Sequence, residues 1–359
     1  MPTRFIRNSI LGALALLAVA GAINYRVDPF QQYRVPTRYA PRFYYSFQRH
    51  ENPGIARHYA FDRAIVSSSF LENVSASEVD KAFGAGQTFN LSFSALTAYE
   101  ARKLLESVLA HGRVKEVIYN VDFNMFAGDT RRTGIPEALP LYLYDAWRWN
   151  DYPYVLSIAT LRKSMNILLG RHEVGYREDR DNPWYWGDTA EFSVKSVVEH
   201  LDFNDLNKRF KQPQRNLRGM LKSFEANLLP LVRGHPQTRF IFVWPPYSVL
   251  VWADFRQRGQ LELSLDFKRR FVIEMSKYPN VRIHDFQERA EWTTHLEDYR
   301  DMYHFSPKIS SALVKEIAAG HEPLTAENVD ERNRQLREMG MAADPGKIIA
   351  NALISSRPR

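Results

Sequence analysis

Five short apolar runs constrain the fold of this chain more than any other feature: Ala64-Ile65-Val66, Thr88-Phe89-Asn90-Leu91, Val117-Ile118-Tyr119-Asn120-Val121, Arg239-Phe240-Ile241-Phe242-Val243-Trp244 and Val281-Arg282-Ile283-His284. Helical stretches separate them, and that alternation builds a parallel sheet with covering helices. After the second run, Leu104, Leu105, Val108 and Leu109 fall on one face of a helix expected over about Leu96 to His111. Further helices are expected over Leu261 to Lys277 and near Lys308 to Ala319. Pro245-Pro246 ends the fourth strand, because proline cannot donate to a sheet ladder. The pattern therefore reads as an α/β fold.

Open parallel sheets place their sites at the carboxyl ends of the strands. Four polar segments fall there: Ser67-Ser68-Ser69, Asp122 to Asn124, Pro245 to Ser248, and the loop Asp301-Met302-Tyr303-His304-Phe305. A serine hydroxyl attacks an ester only when a base takes its proton, and an imidazole serves when a carboxylate fixes its tautomer. Asp301 and His304, on one loop, suit those two roles. A plainer reading is also open, since serines before a helix accept from its free N–H groups. His304, just ahead of Ser306-Pro307, equally suits a turn before a helix.

Composition narrows the chemistry further. The 359 residues include no cysteine, which removes disulfides, thiolate nucleophiles and cysteine-ligated zinc. No His-x-x-x-His pair or carboxylate cluster suggests a metal shell, and no Gly-rich loop follows a strand, so neither metal nor cofactor is expected. The 48 basic and 41 acidic residues give a net charge of +7 spread along the chain, without a lysine block. Nucleic acid is therefore not an expected partner, whereas a polyanionic surface or a bacterial membrane is.

Interruptions of the α/β pattern set the organisation. Arg4 and Arg7 precede an apolar run from Ile10 to Ile23, so residues 1–23 are expected to be a signal peptide or membrane anchor of a periplasmic or other extracytoplasmic protein. The run is shorter than the roughly 18 to 20 residues of a comfortable span. Ala18-Val19-Ala20 and Ala20-Gly21-Ala22 both suit a signal peptidase, which leaves cleavage and anchoring open. Residues 24–61 mix arginines, aromatic residues and prolines and are expected to form an extended wrap, with glycan or lipid-headgroup contact as the alternative. The main domain, 62–320, carries an aromatic insertion at about 126–215 with Trp147, Trp149, Trp184 and Trp186. Stacking on sugars and packing onto the sheet are both open for these rings. Residues 321–359 read as a charged, partly helical tail.

Several segments, taken in order, resemble one family: Asn52-Pro53-Gly54-Ile55-Ala56, the serine run with Glu72-Asn73 behind it, Asn90-Leu91-Ser92-Phe93-Ser94, Trp244-Pro245-Pro246-Tyr247-Ser248, and Asp301 to Phe305. Together they resemble the SGNH (GDSL-type) hydrolase superfamily. Within it they are similar to the membrane-associated bacterial branch that includes the alginate O-acetylation proteins and the D-alanine transfer protein of teichoic acid modification. The resemblance runs from about residue 50 to 320. It implies a flavodoxin-like three-layer fold and acyl-ester chemistry on a cell-envelope polymer.

Residue by residue, the resemblance implies Ser69 as nucleophile, with Ser68 the neighbouring alternative, His304 as general base and Asp301 as the carboxylate that orients it. The family's oxyanion hole uses the nucleophile's own N–H, a glycine N–H from the second block and an asparagine side chain from the third. Here Ser67 stands where a glycine usually precedes the nucleophile, and Ala95-Leu96 where the second glycine is expected. The Ala95 N–H still serves if its backbone angle suits a residue with a Cβ. For the third donor Asn120 and Asn124 are candidates, Asn124 preferred, with Asp122 as a hydrogen-bond organiser and Tyr247 on the substrate side. The expected function is hydrolysis or transfer of a small acyl group on an envelope or extracellular polysaccharide, with a membrane-bound O-acyltransferase as a further partner. The alternative is an inactive glycan-binding or scaffold subunit on the same fold.

Overall fold

The structure, a computed structural model, describes residues 2–84, 86–110, 112–135, 139–201 and 215–355. Contacts divide the chain into two units, residues 1–60 with 139–183 and residues 61–138 with 184–359. Among the described residues seven strands follow in order: β1 (Phe43–Tyr44), β2 (Arg63–Val66), β3 (Thr88–Asn90), β4 (Glu116–Asn120), β5 (Tyr176–Arg177), β6 (Arg239–Trp244) and β7 (Val281–Asp285).

In the second unit, β3-β2-β4-β6-β7 form one sheet in that order, with every neighbouring pair parallel. Its strands coincide with the five apolar runs. All residues of β2, β3 and β4 are buried, as a sheet covered on both faces requires. From β2 the chain steps outward to β3 and then returns across β2 to β4. With right-handed crossovers, such a reversal sends successive helices to opposite faces and opens a crevice beyond the carboxyl ends of β2 and β4. Accordingly, helix Ala76–Phe83 packs with helix Pro307–Ala318, whereas Ala98–Leu109 packs with Leu217–Asn227. Val66 pairs with Tyr119, Tyr119 with Phe242 and Val243 with His284, so the loops leaving these strands emerge side by side.

Local chemistry sets the helix starts. Thr97 and Glu100 form a reciprocal capping box, so the helix expected from Leu96 begins at Ala98; His111, its expected end, lies outside the described residues. Ser306 caps helix Pro307–Ala318, and Pro307 occupies the first turn, where no N–H is needed. The described part of the expected tail, residues 321–355, belongs to the second unit. Helix Val329–Ala342 buries Val329, Asn333 and Leu336 and packs on helices Val249–Gln257 and Leu261–Met275. At the β7 edge, the Lys268 ammonium pairs with Asp285 and donates to Gln287 Oε1 at 3.0 Å, with both charged side chains fully buried.

The first unit departs from expectation. Residues 24–61 are not an extended wrap, because Gln48–His58 is helical. Phe30, Tyr33 and Tyr44 join Leu143 and Tyr154 in a buried cluster. Several aromatic residues of this segment thus form a core, while Tyr45 stays exposed. The expected insertion also divides: 139–183 belongs to this unit and 184–201 to the other, while 202–214 lie outside the described residues. Gly54 sits so close to the Gln31 carbonyl that a Cβ would stand 2.2 Å from its oxygen. Gly54→Ala is therefore expected to destabilise this unit by about 3 kcal/mol. A thermal melt checks this, and an unchanged midpoint would show that the Gln31 turn yields.

Helix Pro2–Val27 runs past the apolar segment expected to end at Ile23. By length and composition, Thr3–Val27 is long and apolar enough to cross a membrane, a test that signal sequences also pass. Its last turns are held by the first unit. Asn24, fully buried, donates to Val155 O at 2.8 Å and Ser157 O at 3.2 Å and accepts from Ser164 Oγ at 2.9 Å.

Candidate active site

After β2, Ser67 and Ser68 lead into a single helical turn, Ser69–Leu71. The three serines have different surroundings. Ser67 is buried; its Oγ donates to Asn120 Oδ1 at 2.6 Å and accepts from Leu71 N–H at 3.1 Å. That is the capping role open to a serine here. Ser68 N–H donates to the same Asn120 oxygen at 2.8 Å, and the Ser68 hydroxyl is buried without a partner. Only Ser69 faces the histidine, its Oγ 2.7 Å from His304 Nε2.

The opposite face of the imidazole is fixed by Asp301, whose Oδ2 lies 2.7 Å from His304 Nδ1. Asp301 Oδ1 accepts from the N–H groups of Tyr303 at 2.8 Å and His304 at 2.9 Å. Burial alone would raise the Asp301 carboxyl. The His304 charge, its ring N–H and the two backbone donors outweigh burial and hold Asp301 at about 2. The ionised carboxylate keeps the proton on Nδ1, which leaves Nε2 to accept from the Ser69 hydroxyl. For His304, burial favours the neutral ring, yet the charge and hydrogen bond of Asp301 prevail and raise it above the ordinary imidazole value.

A base must be neutral to work, so the sign is clear: His304 becomes an acceptor only above a pH higher than about 6.5. Asp301→Asn removes the raising charge and leaves burial, which lowers the value. In an NMR titration, His304 is expected to titrate above the ordinary imidazole value in wild type and below it in the variant. An unmoved midpoint would show that Asp301 does not set its charge.

The His304 loop is pinned on several sides. Ser248 N–H donates to Met302 O at 3.0 Å, Tyr299 Oη to Pro246 O at 2.9 Å and Ser196 Oγ to Arg300 O at 2.9 Å. The imidazole stacks on Phe70 with ring centres 5.7 Å apart and meets the Trp186 ring edge-on at 5.7 Å. Trp186 is itself placed by Asn73, whose Oδ1 accepts from the N–H groups of Trp186 at 2.9 Å and Gly187 at 3.0 Å. Trp184 is fully buried and donates to Asn90 O at 2.8 Å. Trp184 and Trp186 therefore pack within the sheet unit. Nothing in the sequence singled out Phe70 or Trp186 as neighbours of the histidine.

Other expected site residues are placed differently from one another. Ala95 adopts φ +55°, the left-handed conformation that glycine would accept without strain, and is exposed. Its loop is tied to the serine turn through Phe93 N–H to Ser67 O at 3.0 Å and Ser94 Oγ to Glu72 Oε1 at 2.9 Å. Of the two asparagines, Asn120 rather than Asn124 binds the serine turn. Asn124 is held in the next turn, donating its N–H to Asp122 Oδ1 at 2.6 Å. Asp122 is buried, and burial raises its carboxyl against the Asn124 N–H and the Arg215 charge, so it organises a turn rather than meeting solvent. Tyr247, expected on the substrate side, is fully buried, with its ring centre 5.4 Å from Phe70 and 5.5 Å from Tyr303. It forms the floor beneath the histidine loop, because Pro245-Pro246 turns the chain inward at the end of β6.

Fold and site together define an α/β protein with a serine, a histidine and a carboxylate hydrogen-bonded in series beyond the carboxyl ends of a five-stranded parallel sheet. No protein-family model matches the chain, and no curated protein matches it.

Proposed function

We propose that the second unit is a serine-dependent acyl-ester hydrolase or O-acyltransferase of the SGNH type, acting on a cell-envelope or extracellular polysaccharide. The observation that carries this reading is the series Ser69 Oγ, His304 and Asp301, with both links at 2.7 Å. The strand order supports it too: numbered within the sheet alone it is 2-1-3-4-5, the flavodoxin-like order.

In the reaction, Ser69 Oγ bonds to the ester carbonyl carbon while His304 Nε2 takes the hydroxyl proton. The carbonyl π electrons move onto oxygen. The Ser69 N–H, at the start of a helical turn where it has no partner within the helix, and the Ala95 N–H are the donors for that oxyanion. As the oxyanion collapses, the carbon–alkoxy bond breaks and His304 returns its proton to the departing oxygen, leaving the acyl group on Ser69. Water or a sugar hydroxyl then attacks the acyl carbon, giving its proton to His304. The acyl carbon–Ser69 Oγ bond then breaks as His304 Nε2 returns that proton to Oγ, regenerating the serine hydroxyl and releasing either a free acid or a new ester. The N-terminal helix would hold this chemistry outside the cytoplasm, beside a membrane-bound O-acyltransferase able to supply acyl groups.

The test is intact-mass analysis of the full chain after exposure to a serine-directed fluorophosphonate. One adduct on wild type, lost in Ser69→Ala and in His304→Ala, is expected. No adduct on wild type, or one that persists in Ser69→Ala, overturns the proposal in favour of a glycan-binding or scaffold subunit.

A further inference from the structure

We propose that the segment 147–158 of the first unit is a collar that seats in the headgroup region of a lipid bilayer, around the point where the N-terminal helix leaves the membrane. The proposal concerns this unit alone and does not depend on the chemistry at Ser69.

Length is the first argument. The hydrocarbon of a bilayer is about 30 Å thick and takes about 20 helical residues. In helix Pro2–Val27 every residue from Thr3 to Val19 is exposed, and packing begins at Ala20. Those bare residues are too few to span the hydrocarbon, and they begin with Arg4 and Arg7, which stay in the inner headgroup layer. Counted from Asn8, a span of about 20 residues ends at Val27. The outer boundary of the hydrocarbon therefore falls on the turns that the first unit already grips.

The grip comes from 155–157. A Cβ on Gly21 would lie 3.2 Å from Leu156 Cδ2 and 3.4 Å from Val155 Cγ1, and Asn24 donates to the carbonyls of Val155 and Ser157. Spanning the membrane thus draws this segment down to the interface.

Its side chains are suited to that place. Trp149 is 86% exposed and Ile158 83%, and Trp147, Tyr152 and Leu156 are exposed beside them. In water, five exposed large apolar side chains within twelve residues mark a contact surface. Tryptophan and tyrosine concentrate at membrane interfaces, where an apolar ring and a polar edge are both satisfied. Arg148 and Arg162, exposed in the same region, fit anionic headgroups.

The test places the full chain in nanodiscs and reads tryptophan emission with lipids brominated at the headgroup end of the acyl chain. Wild type is expected to be quenched, and Trp147→Phe/Trp149→Phe to lose most of that quenching with an unchanged melting midpoint. Equal quenching in the two proteins, or none, overturns the proposal. So does a photo-crosslinker at position 149 that captures a second copy or another protein in place of lipid, or an intact mass showing the N-terminal helix removed.

Discussion

Ser69→Ala and His304→Ala are each expected to slow turnover of a generic acetyl ester on the order of a million-fold, and the double variant to be no slower than either. The reason lies in the links at 2.7 Å between Ser69 Oγ, His304 Nε2 and Asp301. A hydroxyl without its base is a poor nucleophile, and a base without the hydroxyl has nothing to activate, so the losses do not add. Asp301→Asn is expected to cost about 10^4-fold, through the wrong tautomer at Nε2. Ser68→Ala is the control, because the Ser68 hydroxyl faces neither histidine nor solvent. Its kcat/KM should stay within a few-fold of wild type. Additive losses at Ser69 and His304, or equal losses at Ser68 and Ser69, would break the assignment.

The largest expected effect on stability is at the buried pair Lys268–Asp285. Neither side chain is exposed, and the pair lies beside Glu288, whose carboxyl is pushed up to about 8 by burial and by the Asp285 charge. Lys268→Ala leaves Asp285 as an uncompensated buried charge, at a cost of about 3 to 5 kcal/mol. At about 2 to 4 °C of melting midpoint per kcal/mol for a unit of this size, the fall is roughly 6 to 20 °C. Replacing both partners, as Lys268→Met with Asp285→Leu, removes the two charges together and is expected to recover most of the loss. If the double substitution melts as low as the single one, packing rather than charge explains the defect.

The sheet was legible because a strand buried on both faces reads as a nearly continuous apolar run. Such runs stand out when Gly, Pro and charged residues bound them, as Pro245-Pro246 does for β6. The serine run, His304 and Asp301 were legible from residue type at strand ends, and Ser69 was singled out within the run only by the family resemblance. The finer parts of the site were not. Asn120 and Asn124 lie four positions apart, and only the turn after β4 decides which one faces Ser67. Tyr247 follows a strand end, as a substrate residue would, but the double proline turns it inward.

The first unit hid its core behind the wrong residue types. Lys163 lies over the Tyr44 ring at 4.2 Å and Arg42 over Tyr176 at 4.5 Å, so cations cover rings that pack inside. Asp28, Gln31, Gln32 and Glu51 are buried as well, and their presence reads as surface in a linear scan. The unit is also assembled from two pieces of chain, residues 1–60 and 139–183, that are far apart in sequence. Local periodicity carries no information about such a partnership.

Ser69 and His304 are separated by 235 positions, and both act through one hydrogen bond. A ribosome adding about 5 to 20 residues per second takes about 12 to 47 s to cover that distance. During that time the serine exists as an ordinary alcohol with no base in reach. The series Ser69, His304 and Asp301 is thereby incomplete during most of synthesis: it closes only when the loop after β7 has arrived and folded against the sheet.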